Sequence, residues 1–192
     1  MTEPIGEWKR VRSEPGPDLI ILRARFDWYL NPRNSKLLRR VVLQASDWVN
    51  IVALTKEKKI VTVRQFRFGA GHETTEIPAG MVDEGEAPEA AARRELEEET
   101  GYSTEQWQYL GWIQPNPAFL DNRCHTFLAS EVVKTGEPRL DEGEDIQVQE
   151  LTLDQVKQEM SRGAIRNALA VVALGYIFDL RGIVPADPGE EK

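Results

Sequence analysis

Apolar residues recur at alternate positions, or in short runs bounded by turn residues, through most of the chain. "LIILRARFDWYL" (Leu19–Leu30) and "RRVVLQ" (Arg39–Gln44) are rich in β-branched and aromatic residues, with "NPRNS" between them as a turn. "WVNIVALT" (Trp48–Thr55) and "KIVTVRQFRF" (Lys59–Phe68) read as a hairpin closed by "KEKK". "ETTEIPAG" reads as one more strand, stopped by Pro78 and Gly80, and "WQYLGWIQ", "CHTFLASEV" and "IQVQELTL" are also strand-like. Between Pro88 and Gly101 the pattern predicts a helix, because proline suits a first turn and glycine the position just past the end. Two further helical stretches close the chain, Asp154–Arg162 and about Ile165–Leu180. Mostly β, with one helix midway and helices at the end, predicts a mixed α/β or α+β sandwich.

Composition narrows the function classes. The 192 residues suffice for one domain with a sizeable core and a small N-terminal extension. A net charge of −8 argues against sequence-independent binding to nucleic acid, which needs a basic footprint. The longest apolar run, Asn167–Phe178, is shorter than the ~20 residues that span a bilayer, so no membrane span is expected. "MTEPIGEWKRVRSEPGPD" lacks the apolar core of a secretion signal, and the single cysteine, Cys124, permits no intrachain disulfide. Both suit a cytoplasmic protein. Cys124 reads as a packed thiol, His72 as an exposed loop residue and His125 as a packed strand residue; neither histidine has metal-ligand spacing.

The densest charge lies in "GMVDEGEAPEAAARRELEEETGY" (Gly80–Tyr102). On a helical wheel at about 100° per residue, Glu95, Glu98 and Glu99 share one arc with Ala91, Ala92 and Leu96, while Glu97 points away with Arg93. A solvated charge stripe should lie opposite the apolar stripe, not beside it. Carboxylates converging on the protein body repel and raise one another's pKa, a cost that a hard divalent cation removes. The plain alternative is a solvated glutamate-rich helix, with Arg94 and Glu98 as an ordinary i, i+4 pair.

Gly80, five residues, Glu86, seven residues, Arg94-Glu95-Leu96, one residue, Glu98-Glu99, one residue, Gly101-Tyr102: this spacing resembles a complete Nudix box. The flanks "VRQFRFG…TTEIPAGMVDEGE" and "DEGEDIQVQEL…GAIRNALAVVALGYI" are similar to the branch that hydrolyses ADP-ribose and nucleoside diphosphate sugars. The resemblance implies a Nudix α/β/α sandwich with a mixed central sheet. It divides the chain into a β extension at 1–46, a catalytic domain at 47–183 and a tail at 184–192. Glu95, Glu98, Glu99, Glu144 and the Ala79 carbonyl would then hold Mg²⁺, with Mn²⁺ as a substitute. Glu142 would be the base, and Gly80, Glu86, Arg94 and Gly101 would shape and brace the motif. Arg67 would contact the diphosphate and Glu76 would lie on the nucleoside side. The resemblance also implies a homodimer that exchanges the N-terminal strands.

Trp28, with Phe26 second, offers a stacking face for the base; the same aromatics also suit a core. By analogy with that dimer, Arg40 or Arg39 would reach the partner's site. The expected reaction is metal-dependent cleavage of the pyrophosphate to a nucleoside monophosphate and a sugar phosphate. "QPNPAFLDNRCH" departs from the branch where the second sugar is held, which leaves ADP-ribose and an ADP- or GDP-hexose both open. A ligand-sensing protein without catalysis, or an enzyme of nucleoside triphosphates or dinucleoside polyphosphates, is the competing reading.

Overall fold

Cross-strand pairing in the first forty residues draws even a polar, proline-bearing segment into a sheet. The computed structural model describes residues 6–181 and 183; the expected tail at 184–192 lies outside the described residues. The chain forms two compact units, Met1–Ser46 with Gln114–Arg123, and Asp47–Ile113 with Cys124–Lys192.

The first unit is a three-stranded antiparallel sheet of β1 (Lys9–Asp18), β2 (Arg23–Leu30) and β3 (Leu37–Gln44), in that order. Strand β1 is not apparent from its sequence, which contains Pro15-Gly16-Pro17. Proline is tolerated there because β1 is an edge strand. It is held by pairing to β2, and Ser13 donates to Asp27 at 2.6 Å. The expected strand start at Leu19 is replaced by a turn. The Leu19 amide donates to the Leu22 carbonyl at 2.7 Å, and Ile20, 98% exposed, takes φ +76°. The segment 114–123 belongs to this unit because the Leu43 amide donates to the Phe119 carbonyl at 2.7 Å. Arg25 also bonds Asp121 at 3.3 Å.

The second unit is a mixed sheet. Its path runs β11 (Ile146–Leu151), β5 (Ile60–Arg67), β4 (Trp48–Thr55), β10 (Cys124–Lys134), β8 (Tyr102–Ser103). Strands β6 (His72–Glu76), β7 (Ala79–Met81) and β9 (Gln106–Ile113) pair with β5, β4 and β10. Among the described residues of this sheet, only β4 and β10 run parallel.

Strand β4 is almost wholly apolar because both its faces are covered. Val49, Ile51 and Ala53 pack with Ala91, Ala92 and Leu96 of α1 (Pro88–Thr100). Val52 packs with Val156 of α2 (Leu153–Ser161) and Ala170, Ala173 and Leu174 of α3 (Ala168–Gly175). Helix α3 is thus shorter than the expected 165–180, its start set by Asn167, whose side chain accepts from the Leu169 amide at 2.9 Å.

"ETTEIPAG" forms two strands, not one. Strands β4 and β5 pair only at Ala53–Val61 and Leu54–Ile60 and then diverge. The chain crosses that gap at Ile77–Pro78, leaving β6 on β5 and β7 on β4. The crossing places Ala79 and Gly80 beside α1.

Candidate active site

A cavity of about 490 Å³ opens in the second unit, between the β7 crossing, α1 and the loop before β11. Helix α1 contributes Arg94, Glu95, Glu98 and Glu99; the crossing contributes Ala79, Gly80, Met81 and Asp83; β5 contributes Gln65 and Arg67. The loop contributes Arg139, Asp141 and Glu144. Glu95, Glu98, Glu99, Glu144, Ala79, Gly80, Arg94 and Arg67, all singled out from the sequence, therefore line one cavity. Gln65, Met81, Asp83, Arg139 and Asp141 were not foreseen. Glu142 does not line the cavity, although its neighbours Asp141 and Glu144 do.

The three helix glutamates differ in environment. Glu99 is 3% exposed, and burial pushes its pKa up to about 8. The Ala79 amide, donating at 3.0 Å, opposes that rise; the charges of Glu95 and Glu144 add to it. Glu95 is raised first by burial, and further by the charges of Glu98 and Glu144, against the pull of Arg94. Glu98 is more open, its side chain 37% exposed.

Gly80 stands directly against Glu95, where a Cβ would run into the carboxylate. Gly101 ends α1 at φ +72°, a conformation that glycine adopts without a side-chain clash.

Arg94 ties these parts together. It forks onto Glu86 at 3.2 and 3.0 Å, donates to the Met81 carbonyl at 2.9 Å, and through Nη1 reaches Glu95 at 2.8 Å and Glu98 at 3.2 Å. Its bond to Glu86 holds the Glu86 carboxyl below its usual pKa. Among the described residues, no three His, Cys, Asp or Glu side chains are arranged to hold a metal ion as they stand. The Arg94 guanidinium is shared between Glu95 and Glu98. The donor set itself fits a hard cation: it is all oxygen, and burial and the charges of Glu95 and Glu144 disfavour the ionised form of its most buried member, Glu99, a cost that a bound cation would offset.

Arg67 and Glu76 form a two-pronged pair at 2.9 Å for each bond, with Glu76 only 2% exposed. Burial would raise the Glu76 pKa, but donation by Arg67, Thr74 and Asn167 outweighs it and holds the carboxyl below its usual value. Asn167, which donates to Glu76 at 2.7 Å, was missed from the sequence. "N" before an apolar helix is a cap signal, but nothing local points to Glu76.

The aromatic candidates lie in the first unit. The Arg12 guanidinium covers the Trp28 ring at 3.9 Å, and Arg39 covers Phe26 at 3.8 Å. Arg40 turns back to donate to the Arg39 carbonyl at 2.9 Å. His125 is buried between Tyr109 at 3.0 Å and Asp47 at 3.2 Å, and His72 is exposed at the start of β6. Cys124 is fully buried.

The profile of the NUDIX domain matches residues 47–171. The chain belongs to the Nudix family. Among curated relatives, a methanol dehydrogenase activator of Bacillus methanolicus and an ADP-ribose pyrophosphatase of Bacillus subtilis are each 37% identical over 145 residues. In both cases the match covers 75% of this chain and 78% of the relative. A GDP-mannose pyrophosphatase of Citrobacter koseri is 32% identical over 87% of this chain and 93% of its own. The crystal structure of an ADP compounds hydrolase superposes with a TM-score of 0.77 at 18% identity, covering 92% of this chain and 95% of the other, and shows the same fold. Among the described residues of this Nudix protein, no helix is long and apolar enough to cross a membrane.

Proposed function

We propose that this Nudix pyrophosphohydrolase cleaves the pyrophosphate of a nucleoside diphosphate linked to a sugar, releasing a nucleoside monophosphate and a sugar phosphate. The observation that carries the reading is the meeting of Glu95, Glu98, Glu99 and Glu144 with Arg67 around one cavity on the box helix. The relatives named for ADP-ribose and GDP-mannose support the substrate class and leave both sugars open.

The four glutamates and the Ala79 carbonyl would hold Mg²⁺, or Mn²⁺ in its place. When bound, such a cation neutralises the phosphate oxygens and lowers the pKa of a water molecule. Arg67 keeps Nη1 clear of its bonds to Glu76, and that edge donates to a phosphate oxygen. The loop before β11 supplies the base that takes the proton of the attacking water. Glu142 is our assignment from the resemblance; it reaches the cavity by a turn of its loop, where Asp141 already stands. The water oxygen bonds to phosphorus and the bridging oxygen leaves with the departing phosphate. Homodimer formation, a cytoplasmic location and stacking of the base on Trp28 complete the proposal.

The test is a substrate panel with Mg²⁺ and identification of the products by mass. AMP or GMP with a sugar phosphate is the expected outcome. Equal rates for wild type and Glu98→Gln on every substrate would sink the reading, and tight binding without turnover would favour a sensor. Glu142→Gln and Asp141→Asn, compared across pH, tell the two candidate bases apart.

A further inference from the structure

We propose that Asn167 and Thr74 are positioning residues for Arg67, acting through Glu76, and that Glu76 makes no contact with the nucleoside. This rests on the reading of Arg67 as the phosphate-binding cation.

A carboxylate offers about four acceptor positions. At Glu76 all four are used. Oε1 accepts from Arg67 Nε at 2.9 Å and from the Thr74 hydroxyl at 2.6 Å; Oε2 accepts from Arg67 Nη2 at 2.9 Å and from Asn167 Nδ2 at 2.7 Å. Glu76 is 2% exposed and does not line the cavity. A ribose hydroxyl has nothing left to donate to.

The same four bonds fix Arg67. A single side-chain pair leaves a carboxylate free to rotate about its own bonds, and the guanidinium follows it. Here Thr74 and Asn167 hold the carboxylate from two further directions. Thr74 lies opposite Gln65 in the β5–β6 pairing, two positions along the hairpin from the Arg67–His72 pair. Asn167 approaches from 91 residues away. Its orientation is set as well, because its Oδ1 caps α3 by accepting from the Leu169 amide at 2.9 Å, which leaves Nδ2 to donate. The Thr75 amide, donating to the Ala164 carbonyl at 3.0 Å, ties β6 to the same α2–α3 connection. The start of α3 thus sets the aim of a guanidinium that it does not touch.

The two jobs of Asn167 can be separated. Serine in its place keeps a cap acceptor but is too short to reach Glu76. Steady-state kinetics with Mg²⁺ and a hydrolysed nucleoside diphosphate sugar would compare Asn167→Ser, Thr74→Val, Thr74→Ser and Arg67→Ala, alone and combined. We expect kcat/KM to fall roughly tenfold in Asn167→Ser and Thr74→Val, and to stay near wild type in Thr74→Ser, which keeps the hydroxyl. In the Arg67→Ala background neither change should lower kcat/KM further, since a residue acting through Arg67 has nothing to act on. A purely structural role would lower it by the same factor in both backgrounds. That additive result overturns the proposal, as does wild-type kcat/KM in Asn167→Ser and Thr74→Val, while an impaired Arg67→Ala leaves the functional reading standing. If Arg67→Ala itself equals wild type, the functional reading of Arg67 fails and the proposal with it.

Discussion

Arg94 Nη1 donates to Glu98 Oε2 across 3.2 Å, one turn along α1. That bond makes Arg94 a rival of any cation that Glu98 and Glu95 bind. Arg94→Ala should cost about 2 kcal/mol in chelator-treated protein, the 29% exposure of the side chain reducing the larger penalty of a fully buried pair. Adding Mg²⁺ should raise the melting temperature of Arg94→Ala more than that of wild type. Thermal denaturation with and without Mg²⁺ measures this; a smaller rise in the variant would mean that the guanidinium and the cation do not compete.

Glu99 gives the chelator-treated protein a pH-dependent stability. Its carboxyl sits at about 8 in the fold against an ordinary 4.5, so the folded state holds a proton that the unfolded state releases. The stability this provides is complete below about 4.5 and is lost as pH rises towards 8. The loss is about 5 kcal/mol at most. Urea unfolding at pH 5 to 8 should show wild type weakening with pH and Glu99→Gln weakening much less. Parallel curves for the two proteins would contradict the assignment.

Cys124 should be silent until the protein opens. Burial, helped by the charge of Asp47, pushes its thiol up to about 12, and the thiolate is the reactive form. Iodoacetamide at pH 8 should label the native protein only at the rate of its unfolding, and label it at once in urea. Fast labelling of native protein would show that the strand end opens locally.

Gly80 and Gly101 should fail in opposite ways. A methyl at Gly80 meets first the far end of the Glu95 side chain, which can swing aside. Gly80→Ala should therefore cost about 1 kcal/mol or less but lower turnover more than roughly tenfold, because Glu95 leaves the cavity. A methyl at Gly101 meets the Gly136 backbone, at φ +72°. Gly101→Ala should cost about 2 kcal/mol or more. Urea midpoints beside kcat for both variants decide it.

The legible parts of this fold are those whose signal is local. Helix α1 runs from Pro88 to Thr100 because a proline starts it and Gly101 stops it, and β4 matches its expected span because its apolar run is buried on both faces. Strand β1 was illegible because nothing in Pro15-Gly16-Pro17 favours a strand; its support comes from β2. The division of "ETTEIPAG" was hidden because the divergence of β4 from β5 causes it. At the site, the arc of Glu95, Glu98 and Glu99 was readable from helix period alone. The bond from Asn167 to Glu76 was not, since it joins positions that only the packed sheet and α3 bring together.

The C-terminal end of α1 carries more than a stop signal. The Gly101 carbonyl accepts from the Thr135 and Gly136 amides at 2.8 and 3.1 Å, and the Glu98 carbonyl from Arg139 at 2.8 Å. The loop that delivers Asp141 and Glu144 is therefore hung from the helix that carries Glu95, Glu98 and Glu99. A tilt of α1 would therefore carry the anchored loop with it. The span 140–145 runs between the Arg139 anchor and the start of β11 at Ile146. Lengthening that span would change reach alone, whereas an insertion at 136–139 would uncouple the loop from α1.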